Sequence, residues 1–250
     1  MKFIKALAAV FALLNGLAIA AQQCEVPASL IASDDSLPRV SKEITERHRL
    51  DISVIGTGSS TLPGPNGASF AFPARLQAAL RELLPGTQVN VNVHIQPRQT
   101  AGDMVPRLHS ILTEDAPALV LWQTGTFDAV NDIEPEEFRA NLEAGIDIIL
   151  RAGADVDLIN MQFSPHTESV IDVSSYADIM QWVAQQQAGT LLFDRLAIMR
   201  YWNDQGTFDL YAATRNSDMA RQVHDCIGWA LASQIIGAAH LTRHEGATKN

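Results

Sequence analysis

Between residues 51 and 61 the chain reads Asp-Ile-Ser-Val-Ile-Gly-Thr-Gly-Ser-Ser-Thr, a β-branched apolar run that ends in glycines and then in hydroxyls. Side chains just beyond a parallel strand stand at the carboxyl edge of the sheet, where α/β proteins gather their sites. Gly56 and Gly58 let the backbone turn sharply there and bring amide donors close to a ligand. Ser59 or Ser60 then stands where a nucleophile belongs; the alternative is a Gly/Ser turn that only caps the next helix. Four other side chains fall at the same edge. Arg98 is either solvated or placed to bind a carboxylate, a phosphate or a developing oxyanion. Gln123 ends an apolar run beside Trp122, so its amide needs partners, and it could act as a donor to substrate. Asp128 reads as an acceptor for backbone amides of its own loop, and His166 as an exposed loop residue or a substrate contact.

These residues need strands and helices to position them. Apolar, β-rich runs fall at 52–56, 89–95, 119–123, 156–161 and 190–193. Between them the apolar residues recur at helical spacing: Phe72, Leu76, Leu80 and Leu83; Met104, Leu108, Ile111 and Leu112; Phe138, Leu142, Ile146 and Ile149; Tyr176, Ile179, Met180 and Val183. Met219, Val223, Ile227, Leu231 and Ile235 mark a last helix. Strand and helix alternating five times predict a parallel sheet covered on both faces, a three-layer α/β fold. Residues 22–50 read as a leading strap and helix, and 242–250 as a polar tail. Arg195, Arg200, Tyr201 and Trp202 follow the fifth strand, either lining a sugar-binding groove or packing as an amphipathic helix.

Composition narrows the function. Lys2 and Lys5 precede an apolar run over 6–20 that closes on Ala18-Ile19-Ala20, so 1–21 reads as a secretory signal peptide, too short for a convincing membrane span. Nothing else is long and apolar enough to cross a bilayer, and 22–241 reads as one exported domain. The formal charge of −10 becomes −12 once Lys2 and Lys5 are removed, and so acidic a surface lacks the basic footprint of a nucleic-acid or anionic-membrane binder. The two cysteines, Cys24 and Cys226, read as one disulfide in an oxidising compartment. They lack the neighbours of a zinc site, and no phosphate loop, dinucleotide turn or other cofactor motif is present.

The order of segments resembles the SGNH (GDSL-type) hydrolases, esterases of flavodoxin-like architecture, over about 52–239. Four segments carry the resemblance. Gly56-Thr57-Gly58-Ser59-Ser60-Thr61 occupies the place of the Gly-Asp-Ser-x-Ser/Thr nucleophile turn: counted back from Thr61 the nucleophile is Ser59, with Ser60 as fallback, whereas counted forward from Gly56 it is Gly58. Arg98-Gln99-Thr100-Ala101-Gly102-Asp103-Met104 resembles Gly-x-Thr-x-x-Asp-Met, with Arg98 at the oxyanion glycine. Gln123-Thr124-Gly125-Thr126-Phe127-Asp128 resembles the Gly-x-Asn-Asp segment; Gly125 and Asp128 align, and Phe127 replaces the oxyanion asparagine. His224 matches the family histidine, with Arg221 three residues before it in place of aspartate. The resemblance implies an exported serine esterase needing no cofactor, with Ser59 as nucleophile and His224 as base, and turn amides at Gly58 and Gly125 aided by Arg98 or Gln123 holding the oxyanion. Its substrate would be a small ester, such as an acylated envelope carbohydrate. His166 is a second candidate base. The altered positions imply an alternative, an inactive SGNH-like domain that binds an acylated sugar or an envelope partner.

Overall fold

The computed structural model describes residues 24–32, 35–212 and 217–241; the expected signal peptide and polar tail lie outside them. Five strands, β1 (Arg49–Gly56), β2 (Gln88–Ile95), β3 (Leu119–Gln123), β4 (Asp155–Ile159) and β5 (Thr190–Phe193), pair in parallel in the order β2-β1-β3-β4-β5. Every residue of β3 and β4 is buried, as expected of central strands covered on both faces. β1 begins at Arg49, earlier than its apolar run, because Arg49 already pairs with Gln88 of β2. β4 ends at Ile159, after which Asn160 turns its side chain to Asp194 and to the amide of Leu196.

Seven longer helices complete the layers: α1 (Pro38–Arg47), α2 (Phe72–Leu83), α3 (Ala101–Asp115), α4 (Pro135–Arg151), α5 (Ser174–Gln186), α6 (Arg195–Asp204) and α7 (Ser217–Ala238). α2 packs on α7, and α3, α4 and α5 pack side by side. The helical repeats supply the core: Phe72, Leu76 and Leu80 of α2, Leu108 of α3, Phe138 and Leu142 of α4, Met180 of α5 and Leu231 of α7 are each at most 1 % exposed. α3 starts at a capping box, Thr100 accepting from the Asp103 amide while the Asp103 carboxylate accepts from the Thr100 amide.

Two helical glycines set distances between layers. A Cβ at Gly145 would lie 2.3 Å from the Trp122 ring, so only glycine lets α4 approach β3 so closely. One at Gly228 would lie 2.7 Å from the Leu76 amide nitrogen, so α7 rests directly on the backbone of α2. Arg75 of α2 and Asp225 of α7 form an ion pair across the same contact. A disulfide joins Cys24 to Cys226 of α7 across 202 positions of sequence, with Cα atoms 4.8 Å apart. Among the described residues no helix is long and apolar enough to cross a membrane.

Candidate active site

The turn after β1 is held by the neighbouring strand. Gln123, at the end of β3, is fully buried, and its Oε1 accepts from the Thr57 amide at 2.9 Å and from the hydroxyls of Thr57 and Ser60 at 3.0 Å each. The amide donor identifies this end of the side chain as oxygen. Nε2 is buried without a partner, so Gln123 anchors the turn and presents no donor to a ligand. A Cβ at Gly56 would lie 2.6 Å from Ser60 Oγ, which is why glycine must stand where the hydroxyl crosses. Ser60 is 1 % exposed, its hydroxyl already donates to Gln123, and it does not line the cavity that Ser59 faces. Ser59 is the remaining hydroxyl: it is half-buried and lines a cavity of ≈ 300 Å³ together with Gly58 and His224.

Arg195, the first residue of α6, reaches this turn from the carboxyl end of β5. It is fully buried, with Nη2 3.3 Å from Ser59 Oγ and Nη1 3.4 Å from the Ser59 carbonyl. Nε has no partner, and no carboxylate forms an ion pair with it among the described residues. Burial pulls the guanidinium down to about 9, a direction that follows from placing an unpaired charge in a poor solvent. Of the two readings of this stretch, the packed amphipathic helix holds: Arg195, Leu196, Ile198, Met199 and Trp202 are its buried residues. Trp202 of the same helix is buried and donates to the Glu25 carbonyl, so no aromatic groove exists there. The sequence signal available was a cation directly after a buried strand.

His224 is 7 % exposed on α7, and its Nδ1 accepts from the Phe72 amide at 2.9 Å. Phe72 is the first residue of α2, so its N–H has no partner within the helix, and no N-cap side chain serves it. His224 lies one turn from Gly228 and therefore on the face of α7 that touches α2. The imidazole thus caps α2 from a neighbouring helix. Burial first, and the Arg195 charge second, pull it down to about 4, so it is neutral at physiological pH. With Nδ1 accepting, the proton sits on Nε2. A base that takes a serine proton needs the reverse tautomer, with Nδ1 donating to a carboxylate and Nε2 free. A backbone donor therefore stands where a triad carboxylate would accept, and no hydrogen bond joins His224 to Ser59 or Ser60.

The remaining candidates lie elsewhere. Arg98 is exposed, in a left-handed turn (φ 62°), and does not line the cavity. His166 is exposed on the short helix Pro165–Glu168. Asp128 is fully buried and accepts from the amides of Gly125 and Ala101 and from the Thr124 hydroxyl, so it ties two loops together, more than its own alone. Burial nonetheless raises its carboxyl above the usual range, outweighing those hydrogen bonds. Gly125 needs its positive φ of 97°, and a Cβ there would strike Met161 Sδ at 2.5 Å. Arg221 turns away from His224, stacking 4.4 Å from the Phe70 ring centroid and 3.5 Å from Asp218. A larger depression of ≈ 550 Å³, bordered by Asp172, Asp178, Asp194 and Arg200, includes neither Ser59 nor His224.

Fold and site together define a three-layer α/β domain of the SGNH-hydrolase type with an altered serine turn. The domain resembles the lipase/acylhydrolase of Enterococcus faecalis (TM-score 0.60, 17% identity, 79% of this chain and 100% of that one). It also resembles a catalytic mutant of an acetylxylan esterase from Geobacillus stearothermophilus (TM-score 0.57, 16% identity, 77% and 95%) and the structure titled TesA (TM-score 0.56, 21% identity, 74% and 99%). No curated protein sequence matches the chain. The model of the non-GDSL lipase-like family matches residues 23–241, and the chain belongs to that family.

Proposed function

We propose that this chain is an ester-recognising SGNH-type domain, one that binds the acyl-oxygen group of a small ester or acylated carbohydrate and turns it over slowly or not at all. One observation carries this reading: the Phe72 amide donates to His224 Nδ1. The groups gathered at the serine turn are the Arg195 guanidinium, the Ser59 hydroxyl and the Nε2–H of a neutral His224, a set rich in donors and without a base. A neutral imidazole N–H of this kind serves as an electrophilic donor to a carbonyl. A triad histidine held in the wrong tautomer loses roughly 10⁴ in turnover. The names of the structural relatives, a lipase/acylhydrolase and an acetylxylan esterase, support an ester as the ligand.

A second reading is the serine esterase itself, with Ser59 attacking and His224 acting as base and then as acid. It is favoured by Ser59 and His224 lining one cavity, and it requires the ring to release the Phe72 amide. Fluorophosphonate labelling of the intact protein and of Ser59→Ala and Ser60→Ala separates the two. The binding reading expects no serine adduct. Labelling that Ser59→Ala abolishes and Ser60→Ala preserves would establish the esterase. The disulfide and the leader-like N-terminus support export, the compartment in which such a bond persists.

A further inference from the structure

β2 is an outer strand of the sheet, and its backbone groups alternate in direction. Its even residues face β1: the Gln88 amide donates to the His48 carbonyl, and the Gln96 amide, just past the strand, to the Gly56 carbonyl. The odd residues therefore turn their N–H and C=O groups outward. α2 covers the first of these, Arg81 donating to the Val89 carbonyl and Gln77 accepting from the Val91 amide at 2.8 Å. Beyond that point the cover stops. The Val91 carbonyl, both backbone groups of Val93 and the Ile95 amide have no partner among the described residues. Val93 is 48 % exposed. Beside it lies a slot of ≈ 190 Å³ walled by Ala71, Pro73, Ala74, Gln77, Val91 and Val93, and neither Ser59 nor His224 borders it. Open edges are commonly guarded by charged residues or proline. β2 contains neither lysine, arginine, aspartate, glutamate nor proline, in a chain of net charge −10. The polar side chains Asn90 and His94 are tied to Asp51 and Asp115 of the same molecule.

We infer that β2 is a dimerisation edge, on which a second copy lays its own β2 antiparallel about a two-fold axis at Val93. The groups that α2 leaves open are self-complementary in this register. Val93 of each copy exchanges N–H and C=O with Val93 of the other, and each Ile95 amide donates to the opposite Val91 carbonyl. A register shifted toward the amino end would need the Val89 carbonyl and Val91 amide, which Arg81 and Gln77 hold. One shifted toward the carboxyl end would set the Val91 carbonyl against Pro97, which has no N–H. Directly opposed residues of an antiparallel pair point to the same face of the sheet, so the second copy's Val93 comes down on the side that holds the slot. An uncharged strand meets its own copy without like-charge repulsion, and the contact is isologous and closed.

Sedimentation velocity on the intact protein at concentrations up to about 100 μM tests this. A concentration-dependent dimer is expected. Val93→Lys sets like charges face to face and should weaken the dimer at least about tenfold, with an unchanged circular dichroism spectrum because the side chain is half exposed. Val93→Cys should be joined by a short bismaleimide into a covalent dimer, since Cα atoms of such a hydrogen-bonded pair lie about 5.5 Å apart. Trp182→Cys, 47 % exposed on α5 at the β5 end of the sheet, is the control and should not be joined. A wild-type protein that stays monomeric would overturn the inference and leave the edge to an extended segment of some other chain. A dimer that survives in folded Val93→Lys would overturn it too, because the contact would lie elsewhere, as would equal cross-linking of the two cysteine variants.

Discussion

At the scale of single residues, the tautomer of His224 decides more than its presence. The same imidazole could serve as base or as cap, and the Phe72 amide selects the cap. Because folding holds it at about 4 against an ordinary value near 6.5, the imidazole contributes stability above pH 6.5 that is lost as pH falls toward 4. Chemical denaturation across that window should show up to roughly 3 kcal/mol of loss assignable to this group, and His224→Gln should flatten it. Asp157 works in the opposite direction. It is wholly buried on β4, neither carboxyl oxygen has a partner of regular geometry although the Phe193 amide approaches, and burial raises it to about 8. Its stability contribution is complete below pH 3.8 and declines as pH rises to about 8. Relative to wild type, Asp157→Asn should therefore gain stability from pH 4 to pH 8, on the order of 5 kcal/mol at most, read from paired denaturation curves. A constant difference between the two proteins would mean that Asp157 does not hold its proton.

At the scale of elements, the α2–α7 contact carries the site. Gly228 lets the helices touch backbone to side chain, and His224, one turn earlier, then meets the bare N-terminus of α2. Gly228→Ala places a methyl 2.7 Å from both Arg75 Cβ and the Leu76 nitrogen, and a backbone atom cannot swing aside. Overpacking of this kind costs about 1–3 kcal/mol. A thermal melt should show it, and the imidazole should titrate closer to its ordinary value by NMR once α7 moves away. Gly237 of the same helix has open space around it, so Gly237→Ala is the control and should be neutral or slightly stabilising. The turn after β1 is a second element-level device, since Gln123 of β3 fixes Thr57 and Ser60 and leaves Ser59, of the two serines, facing the cavity.

At the scale of the whole molecule, the Cys24–Cys226 bridge closes most of the described chain into one loop and ends beside His224. On the chain-entropy account so long a loop stabilises the fold by roughly 3–5 kcal/mol. Cys24→Ser/Cys226→Ser should lower the denaturation midpoint accordingly, and alkylation of unreduced wild-type protein should modify no thiol by intact mass. Two alkylated cysteines would show that the bridge does not form.

The parallel sheet was legible in the sequence alone, because buried strands and amphipathic helices write their burial into local periodicity, and the cystine pair was legible because the chain has only two cysteines. So was the serine turn, since its glycines and hydroxyls are adjacent in the chain. The chemistry of that turn was not. Whether Ser59 or Ser60 faces the cavity depends on a glutamine 63 positions beyond Ser60, the protonation of His224 on an amide 152 positions away, and the charge beside Ser59 on an arginine 136 positions away. Arg98 matched a motif position and lies outside the cavity, while Arg195 matched none and is buried against Ser59. Hydrogen-bond direction and desolvation are set by what the packed layers bring together, and no local pattern of residue types encodes them.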